Sequence, residues 1–151
     1  DQHILAIARE DERAKQLMRL AGVGPTTATA ILAMIGNGHE FKCGRQFAAW
    51  LGLTPRQDST GGKNKLLGIT KRGDVYLRTL LVHGARSIMR HSARNDDPKS
   101  RWVEQLRRRR GDNVAACALA AKHARILWAL MVKEERPGAV AQHVHTDARH
   151  I

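Results

Sequence analysis

The segment at residues 114–135 constrains the fold most, because it is strongly apolar and built largely from small side chains. Six alanines lie between positions 115 and 124, and they are followed by Ile126, Leu127, Leu130 and Met131. Alanine has the highest helix propensity, and its small side chain lets another helix approach closely. The segment therefore predicts a long helix that packs against its neighbours, ended by the Arg-Pro-Gly sequence at 136–138.

Helical periodicity recurs along the rest of the chain. It predicts helices at about residues 1–20, 25–36, 45–51, 73–94 and 100–110, separated by glycine and proline. We therefore expect a mainly α fold, a compact helical domain with a helix-hairpin-helix-like corner. One Gly/Lys-rich loop interrupts the helices, and its return at residues 66–69 can form a short hairpin.

The corner between the first two predicted helices is a candidate phosphate site. Gly22 can close a helix in the left-handed conformation, and Pro25 suits the first position of the next helix. Free amides and the dipole at a helix N-terminus favour phosphate. Residues 20–32 resemble the helix-hairpin-helix motif, which contacts the DNA backbone without reading sequence; a plain corner without a ligand is the alternative. The predicted DNA contacts here are Gly22, Gly24, Thr26 and Thr27.

The polar loop between residues 51 and 78 combines hydroxyl, glycine and cationic residues and is the second candidate phosphate site. Ser59 and Thr60 precede Gly61 and Gly62, whose missing Cβ atoms let backbone amides approach an anion. The surrounding cations are Lys63, Lys65, Lys71, Arg72 and Arg78. A hydroxyl in such a loop suits contact with a phosphate. A solvated surface loop has the same residue types, and composition alone favours that ordinary interpretation.

The charge of the chain points to nucleic acid as its partner. The formal net charge is +12, and basic residues run through the whole sequence. Aromatic content is only 4%, which argues against a single-strand binder built on stacking and favours duplex DNA. Arg86 and Arg90 are four residues apart on one predicted helix and share a face, so we expect them to contact phosphates. A solvated charged face is the alternative.

Other classes of site and location have little support in the sequence. Cys43 and Cys117 lie far apart and are interpreted as reduced intracellular packing residues. His143 and His145 lack a third metal ligand nearby, and the carboxylates do not form a metal-binding cluster. We find neither a signal peptide nor a lipidation motif, and we expect no membrane partner.

Four motifs along residues 22–94 carry a family resemblance. They are Gly-Val-Gly-Pro-Thr-Thr-Ala at 22–28, Phe-Ala-Ala-Trp-Leu-Gly-Leu-Thr-Pro-Arg-Gln at 47–57, Ser-Thr-Gly-Gly-Lys at 59–63 and Leu-Leu-Gly-Ile-Thr-Lys-Arg-Gly-Asp-Val-Tyr-Leu-Arg-Thr-Leu-Leu-Val-His-Gly-Ala-Arg at 66–86. Together they resemble the C-terminal transposase domain of the IS-one-ten and IS-eleven-eleven insertion-sequence group, the bridge-RNA-guided serine recombinases.

The resemblance implies a catalytic role for the polar loop. In this family an N-terminal RuvC-like domain holds Mg²⁺ through an acidic tetrad, and the C-terminal domain supplies a serine that joins a DNA 5′-phosphate. On matching positions the serine is Ser59, with Thr60 as the alternative. The RuvC-like part is absent from this sequence, so we expect no recombination by this chain alone. A non-catalytic helix-hairpin-helix DNA-binding module is the alternative function.

The resemblance also implies an organisation and partners. Residues 1–20 would be the end of a preceding helix, linker or coiled coil, residues 21–136 the transposase domain, and residues 137–151 a flexible tail. Expected partners of the full-length protein are DNA, a guide RNA and further copies of itself. The expected location is the bacterial cytoplasm, in association with the nucleoid.

Overall fold

A computed structural model describes residues 2–60 and 63–133, but not the side chains of residues 56–60 and 63–67. This part of the chain contains seven helices and one antiparallel β-hairpin, which confirms the predicted mainly α fold. The elements are α1 (Gln2–Glu10), α2 (Glu12–Leu17), α3 (Pro25–Ile35), α4 (Gly44–Trp50), β1 (Pro55–Thr60), β2 (Lys63–Ile69), α5 (Val75–Ser92), α6 (Pro98–Arg110) and α7 (Asp112–Lys133). The predicted tail at 137–151 lies outside the described residues.

Helix α7 is the centre of the fold, as its small apolar side chains predicted. Helices α4, α5 and α6 all pack against it, and Ala115, Ala116, Ala120 and Ala124 are fully buried. By length and composition alone α7 could cross a membrane, but 56% of its most apolar stretch is buried inside the fold. That burial is what the central helix of a folded domain shows.

The first segment forms two helices, so the prediction of one helix over residues 1–20 was wrong. The Asp11 side chain accepts hydrogen bonds from the backbone N–H groups of Arg13, at 2.8 Å, and Ala14, at 3.4 Å. These are the bonds of an N-cap, so a new helix begins at Glu12. Both short helices pack on α3. The assignment of this segment to a preceding domain or linker stays a prediction.

The starts of α5 and α6 are also set by aspartate caps. Asp74 accepts from the N–H of Leu77 at 2.7 Å, as the predicted start at 73–74 requires. Asp97 accepts from the N–H of Ser100 at 3.0 Å, and Pro98 occupies the first turn. Helix α6 therefore starts two residues before the predicted position.

The corner before α3 packs directly on α5 through two glycines. Gly22 has φ of +87°, and a Cβ built on it would lie 2.8 Å from the Gly84 carbonyl oxygen and 2.9 Å from Ile88 Cδ1. A Cβ built on Gly84 would fall on the Gly22 carbonyl oxygen. The two backbones therefore touch at a point where neither residue has room for a side chain.

His123 is a polar residue of α7 that lies within the core. It is 1% exposed, and its Nε2 atom has no hydrogen-bond partner among the residues that the structure describes. Burial lowers the pKa of His123 from 6.5 to about 3, and the positive charges of Lys99 and Lys122 act in the same direction. The folded protein therefore holds this imidazole neutral.

The free energy of unfolding is expected to fall as the pH drops from about 6.5 towards 3. In this window the unfolded chain protonates His123 and the folded protein does not, which costs up to about 1.4 kcal/mol per pH unit. Urea denaturation at pH 6.5 and pH 5 measures this loss. A His123→Leu variant should show a flatter pH profile, and an unchanged profile would contradict the prediction.

Candidate nucleic-acid interface

The polar loop predicted around Ser59 is the β-hairpin. In its register Ser59 pairs with Asn64 and Thr60 pairs with Lys63, which is the last pair of the ladder. An irregularity in the pairing lies between Pro55 and Gln57. Gly61 and Gly62 lie outside the described residues, as do the side chains of the predicted contacts Ser59, Thr60, Lys63 and Lys65.

The base of the hairpin is fixed to the end of α4 by backbone hydrogen bonds. The N–H of Thr70 donates to the Thr54 carbonyl at 3.0 Å, and the N–H of Lys71 donates to the Gly52 carbonyl at 3.1 Å. Gly73, with φ of +94°, lies against the backbone of Trp50, where a Cβ would overlap the carbonyl oxygen. The chain on both sides of the hairpin is therefore held by backbone contacts.

Arg78 also holds the hairpin base. Its NH1 group donates to the Leu51 carbonyl at 3.1 Å and to the Arg72 carbonyl at 3.3 Å, and the residue is half-buried. These bonds join the first turn of α5 to the C-terminal end of α4 and to the chain leaving β2. Contact between Arg78 and DNA stays a prediction, while the observed carbonyl bonds give it a structural role.

Three of the predicted cations come together beside Cys117 on α7. Burial raises the pKa of this thiol, and the positive charges of Arg86, Lys71 and Arg78 act against the rise. Lys71 and Arg86 are exposed. The fold thus brings the end of the hairpin and the middle of α5 into one positively charged region.

The exposed face of α5 extends this region. Arg86 and Arg90 are both exposed, and Arg86 NH2 donates to Asn113 Oδ1 in the first turn of α7 at 2.9 Å. Val75, which sequence periodicity predicted to be on the apolar side of this helix, is instead 62% exposed. Tyr76 beside it is 54% exposed, and its position two residues after Asp74, in the first turn of α5, is the signal that could have indicated a surface role.

The predicted contacts at the α3 corner lie in a different place. Gly24 precedes α3 as its N-cap with no side-chain capping bond, and Thr26 in the first turn is exposed. Thr27 is 6% exposed, and Gly22 is packed on α5. Gly84, which meets this corner, is two residues from Arg86 and therefore roughly 200° around the helix. The structure does not bring the corner and the Arg86 region together, and the helix-hairpin-helix assignment stays a prediction.

Among the side chains that the structure describes, no three from His, Cys, Asp or Glu are close enough together to hold a metal ion. The Mg²⁺ that the family resemblance implies stays an expectation for the full-length protein.

Comparison with known proteins identifies the family. Residues 14–100 match the family described as "Transposase IS116/IS110/IS902 family". The chain is 53% identical over 140 residues to a probable family 20 transposase of Pseudomonas aeruginosa, covering 91% of this chain and 41% of that protein. It is 46% identical over 135 residues to the transposase for insertion sequence element IS1111A of Coxiella burnetii, covering 89% and 37%. A third relative, the transposase for insertion sequence element IS1328 of Yersinia enterocolitica, is 44% identical over 119 residues, covering 79% and 36%.

The chain thus spans about two-fifths or less of the length of these relatives, between 36% and 41%. The matched region includes the α3 corner, the hairpin and all of α5, and it reaches the start of α6. These are the elements that hold most of the predicted contacts. The chain belongs to the Transposase IS116/IS110/IS902 family.

Proposed function

We propose that this chain is the part of a transposase that binds DNA and supplies the nucleophile for strand cleavage and exchange, with Ser59 in that role. The observation that carries the proposal is the register of the hairpin, in which Ser59 pairs with Asn64, next to the last pair of the ladder, Thr60 and Lys63. The base of the same hairpin is fixed by backbone hydrogen bonds to the end of α4 and by Arg78 of α5. Family membership supplies the reaction class.

The proposed step is an in-line displacement at phosphorus. The Ser59 hydroxyl oxygen forms a bond to a DNA phosphorus as the bond to the 3′-oxygen of the adjoining nucleotide breaks. The serine proton passes to a base outside the described residues, and the departing 3′-oxygen takes up a proton. The DNA 5′-phosphate stays on the protein as a phosphodiester, so a 3′-hydroxyl of another strand can reverse the step and complete the exchange.

The cations around the hairpin support this proposal. Phosphoryl transfer places negative charge on oxygens around the phosphorus, and positioned positive groups stabilise that charge. Lys71 and Arg72 at the hairpin base are exposed, and Lys63 and Lys65 lie on β2 opposite the serine strand. Mg²⁺, a guide RNA and further copies of the protein belong to the proposal for the full-length enzyme, and DNA as its partner would associate it with the nucleoid.

A non-catalytic DNA-binding module is the second candidate function. It is favoured by the N-terminus of α3, where Gly24 provides no side-chain cap and Thr26 is exposed. Such a helix end can bind a phosphate through its amides. Both candidates predict binding that weakens as salt rises, but only the first predicts a covalent link between protein and DNA.

The test is to map the covalent adduct that the full-length transposase forms with labelled DNA. Trypsin cleaves after Arg56 and Lys63, and the released peptide contains Ser59 and Thr60 as its only hydroxyl side chains. We expect mass spectrometry to find the DNA-derived phosphate on this peptide, with fragmentation assigning it to Ser59. An adduct on a peptide from another part of the protein would overturn the proposal, and the absence of an adduct would favour the binding module.

A further inference from the structure

The C-terminal end of α6 carries four consecutive arginines, and one of them has a different role from the rest. Arg107 is half-buried and connects three helices. Its NH1 group donates to the Met89 carbonyl of α5 at 3.1 Å and to Glu104 at 2.8 Å, and its Nε donates to Asp112 of α7 at 2.9 Å. Arg107 therefore fixes the end of α6 beside the last turn of α5 and the start of α7.

The carboxylates beside this end of α6 are already engaged. Glu104 accepts from Ser92 and Arg107, and these hydrogen bonds lower the pKa of its carboxyl group. Asp112 accepts from Arg107 through both oxygens, and this bond lowers the pKa of Asp112 as well. Both acids are ionised at neutral pH, and both are bound to Arg107. Of the four arginines at 107–110, Arg107 is therefore the one that bonds directly to both carboxylates.

The remaining arginines form an exposed positive surface, which we call the arginine surface. It consists of Arg86 and Arg90 on α5 and Arg108, Arg109 and Arg110 on α6, all exposed. Successive residues on a helix are about 100° apart, so the three α6 side chains spread over a broad arc. Arg86 bonds to the neutral side chain of Asn113, and its positive charge also acts on the nearby carboxylate of Asp112. Five exposed cations thus lie on two helices that pack against each other, and none of the five makes the direct carboxylate bonds that Arg107 makes with Glu104 and Asp112.

This surface is continuous with the base of the hairpin. Arg78 in the first turn of α5 donates to the Arg72 carbonyl at the base of the hairpin, and Arg86, further along the same helix, donates to Asn113 of α7. The charges of both arginines and of Lys71 also act on the pKa of Cys117. Asn113 and Cys117 are one turn apart on α7, about 6 Å along the helix. A path of positive charge therefore runs from the chain that leaves β2, along α5, to the end of α6.

The chemistry of this path fits a repeating row of phosphates. Arginine binds phosphate through a planar fork with several donors, and its charge does not depend on pH in the physiological range. Exposed positive charges on neighbouring helices suit the regular backbone of a duplex, which needs neither a deep cleft nor stacking side chains. The helix dipole favours cations at the C-terminal end of α6. Arg107 already places one cation there, and it is bonded within the fold.

We propose that Arg108, Arg109 and Arg110, together with Arg86 and Arg90, contact the backbone of duplex DNA that extends away from the Ser59 hairpin. This inference rests on the proposed function and adds a second contact with DNA. That contact would hold the flanking duplex in a fixed position relative to the hairpin. Three phosphate contacts by the α6 arginines set a definite dependence of affinity on salt.

The test measures binding of the 151-residue chain to a short fluorescent duplex across a series of salt concentrations. The variant is Arg108→Gln, Arg109→Gln and Arg110→Gln. We expect the slope of log affinity against log salt to become less steep by about 2.7, since each lost phosphate contact removes about 0.9. The single change Arg109→Gln should remove about one such contact, and circular dichroism establishes that each variant is folded.

The matched control removes the same charge elsewhere. Arg9, Lys42 and Arg45 are exposed residues of α1, of the chain before α4 and of α4, and α4 packs at Arg125, far along α7 from Asp112. Changing all three to glutamine should leave the slope unchanged.

An equal loss of slope in both triple variants, or none in the α6 variants, would overturn the inference while leaving the proposed function standing. Tighter binding to duplex RNA that depends on the α6 arginines would also overturn it. A wild-type chain with no salt-dependent DNA binding would overturn the proposed function itself.

Discussion

Replacing Gly84 with alanine is expected to destabilise the protein by about 3 kcal/mol or to prevent folding. In an ordinary exposed helix the same change stabilises by roughly 0.5–1 kcal/mol, because alanine restricts the unfolded chain and favours the helix. Here the new Cβ would fall on the carbonyl oxygen of Gly22. Both groups belong to the backbone, so no side-chain rotation can relieve the overlap. The overlap can therefore be relieved only if α5 moves away from the corner before α3.

Urea denaturation of the purified chain measures this effect, with Gly68→Ala as the matched control. A Cβ built on Gly68 meets nothing within 4 Å, and this residue lies on β2 without a positive φ. The control is expected to change the free energy of unfolding by less than about 0.5 kcal/mol, as for an ordinary surface substitution. A Gly84→Ala variant that unfolds at a higher urea concentration than the wild type would show that the two backbones are not in contact.

The contact between Gly22 and Gly84 marks the limit of what the sequence could predict. Local patterns predicted α3 and α5 separately, because glycine, proline and apolar spacing act within one segment. The close approach depends on two residues 62 positions apart. Nothing within either segment states which helix its glycine meets. The left-handed conformation of Gly22 was predicted from the sequence, whereas its partner required the structure.

Two of the sequence predictions were wrong within single elements, namely the single helix over residues 1–20 and the burial of Val75. Periodicity could not separate α1 from α2, since apolar residues continue on both sides of Asp11. The break depends on whether the aspartate side chain bonds to the following amides, which only the coordinates reveal. Val75 was assigned to the core because it is apolar, but it begins its helix on the outer side and is 62% exposed. Composition indicates hydrophobicity, and the helix phase decides exposure.

The candidate site was predicted unevenly for similar reasons. The sequence indicated the Ser59 loop and its cations, and the structure adds the strand register that pairs Ser59 with Asn64. The sequence could not indicate that Arg78 donates to the carbonyls of Leu51 and Arg72, because these carbonyls are brought to it only by the fold. The run at 107–110 was visible as charge alone, and the bonds of Arg107 distinguish it from the other three arginines.

Replacing Ser59 with alanine is expected to abolish the covalent adduct in the full-length transposase while leaving DNA binding nearly intact. Alanine removes one hydroxyl group and no charge, so the cations of the hairpin and of α5 remain. A lost hydrogen bond to phosphate would weaken binding by only about 0.5–3 kcal/mol. A lost nucleophile removes the covalent route altogether. The two losses therefore differ in kind, and a binding assay beside an adduct assay separates them.

Thr60→Ala is the matched control, because Thr60 is the adjacent residue of β1 and carries the other hydroxyl of this segment. It should reduce adduct formation only modestly, since a secondary alcohol is the poorer attacking group and Ser59 remains. Both variants are compared with the wild type on a denaturing gel with labelled DNA, where protease treatment removes the adduct. If Thr60→Ala loses the adduct and Ser59→Ala keeps it, the nucleophile is Thr60. If both variants keep it, the hairpin only binds DNA, and the attacking group lies elsewhere in the transposase.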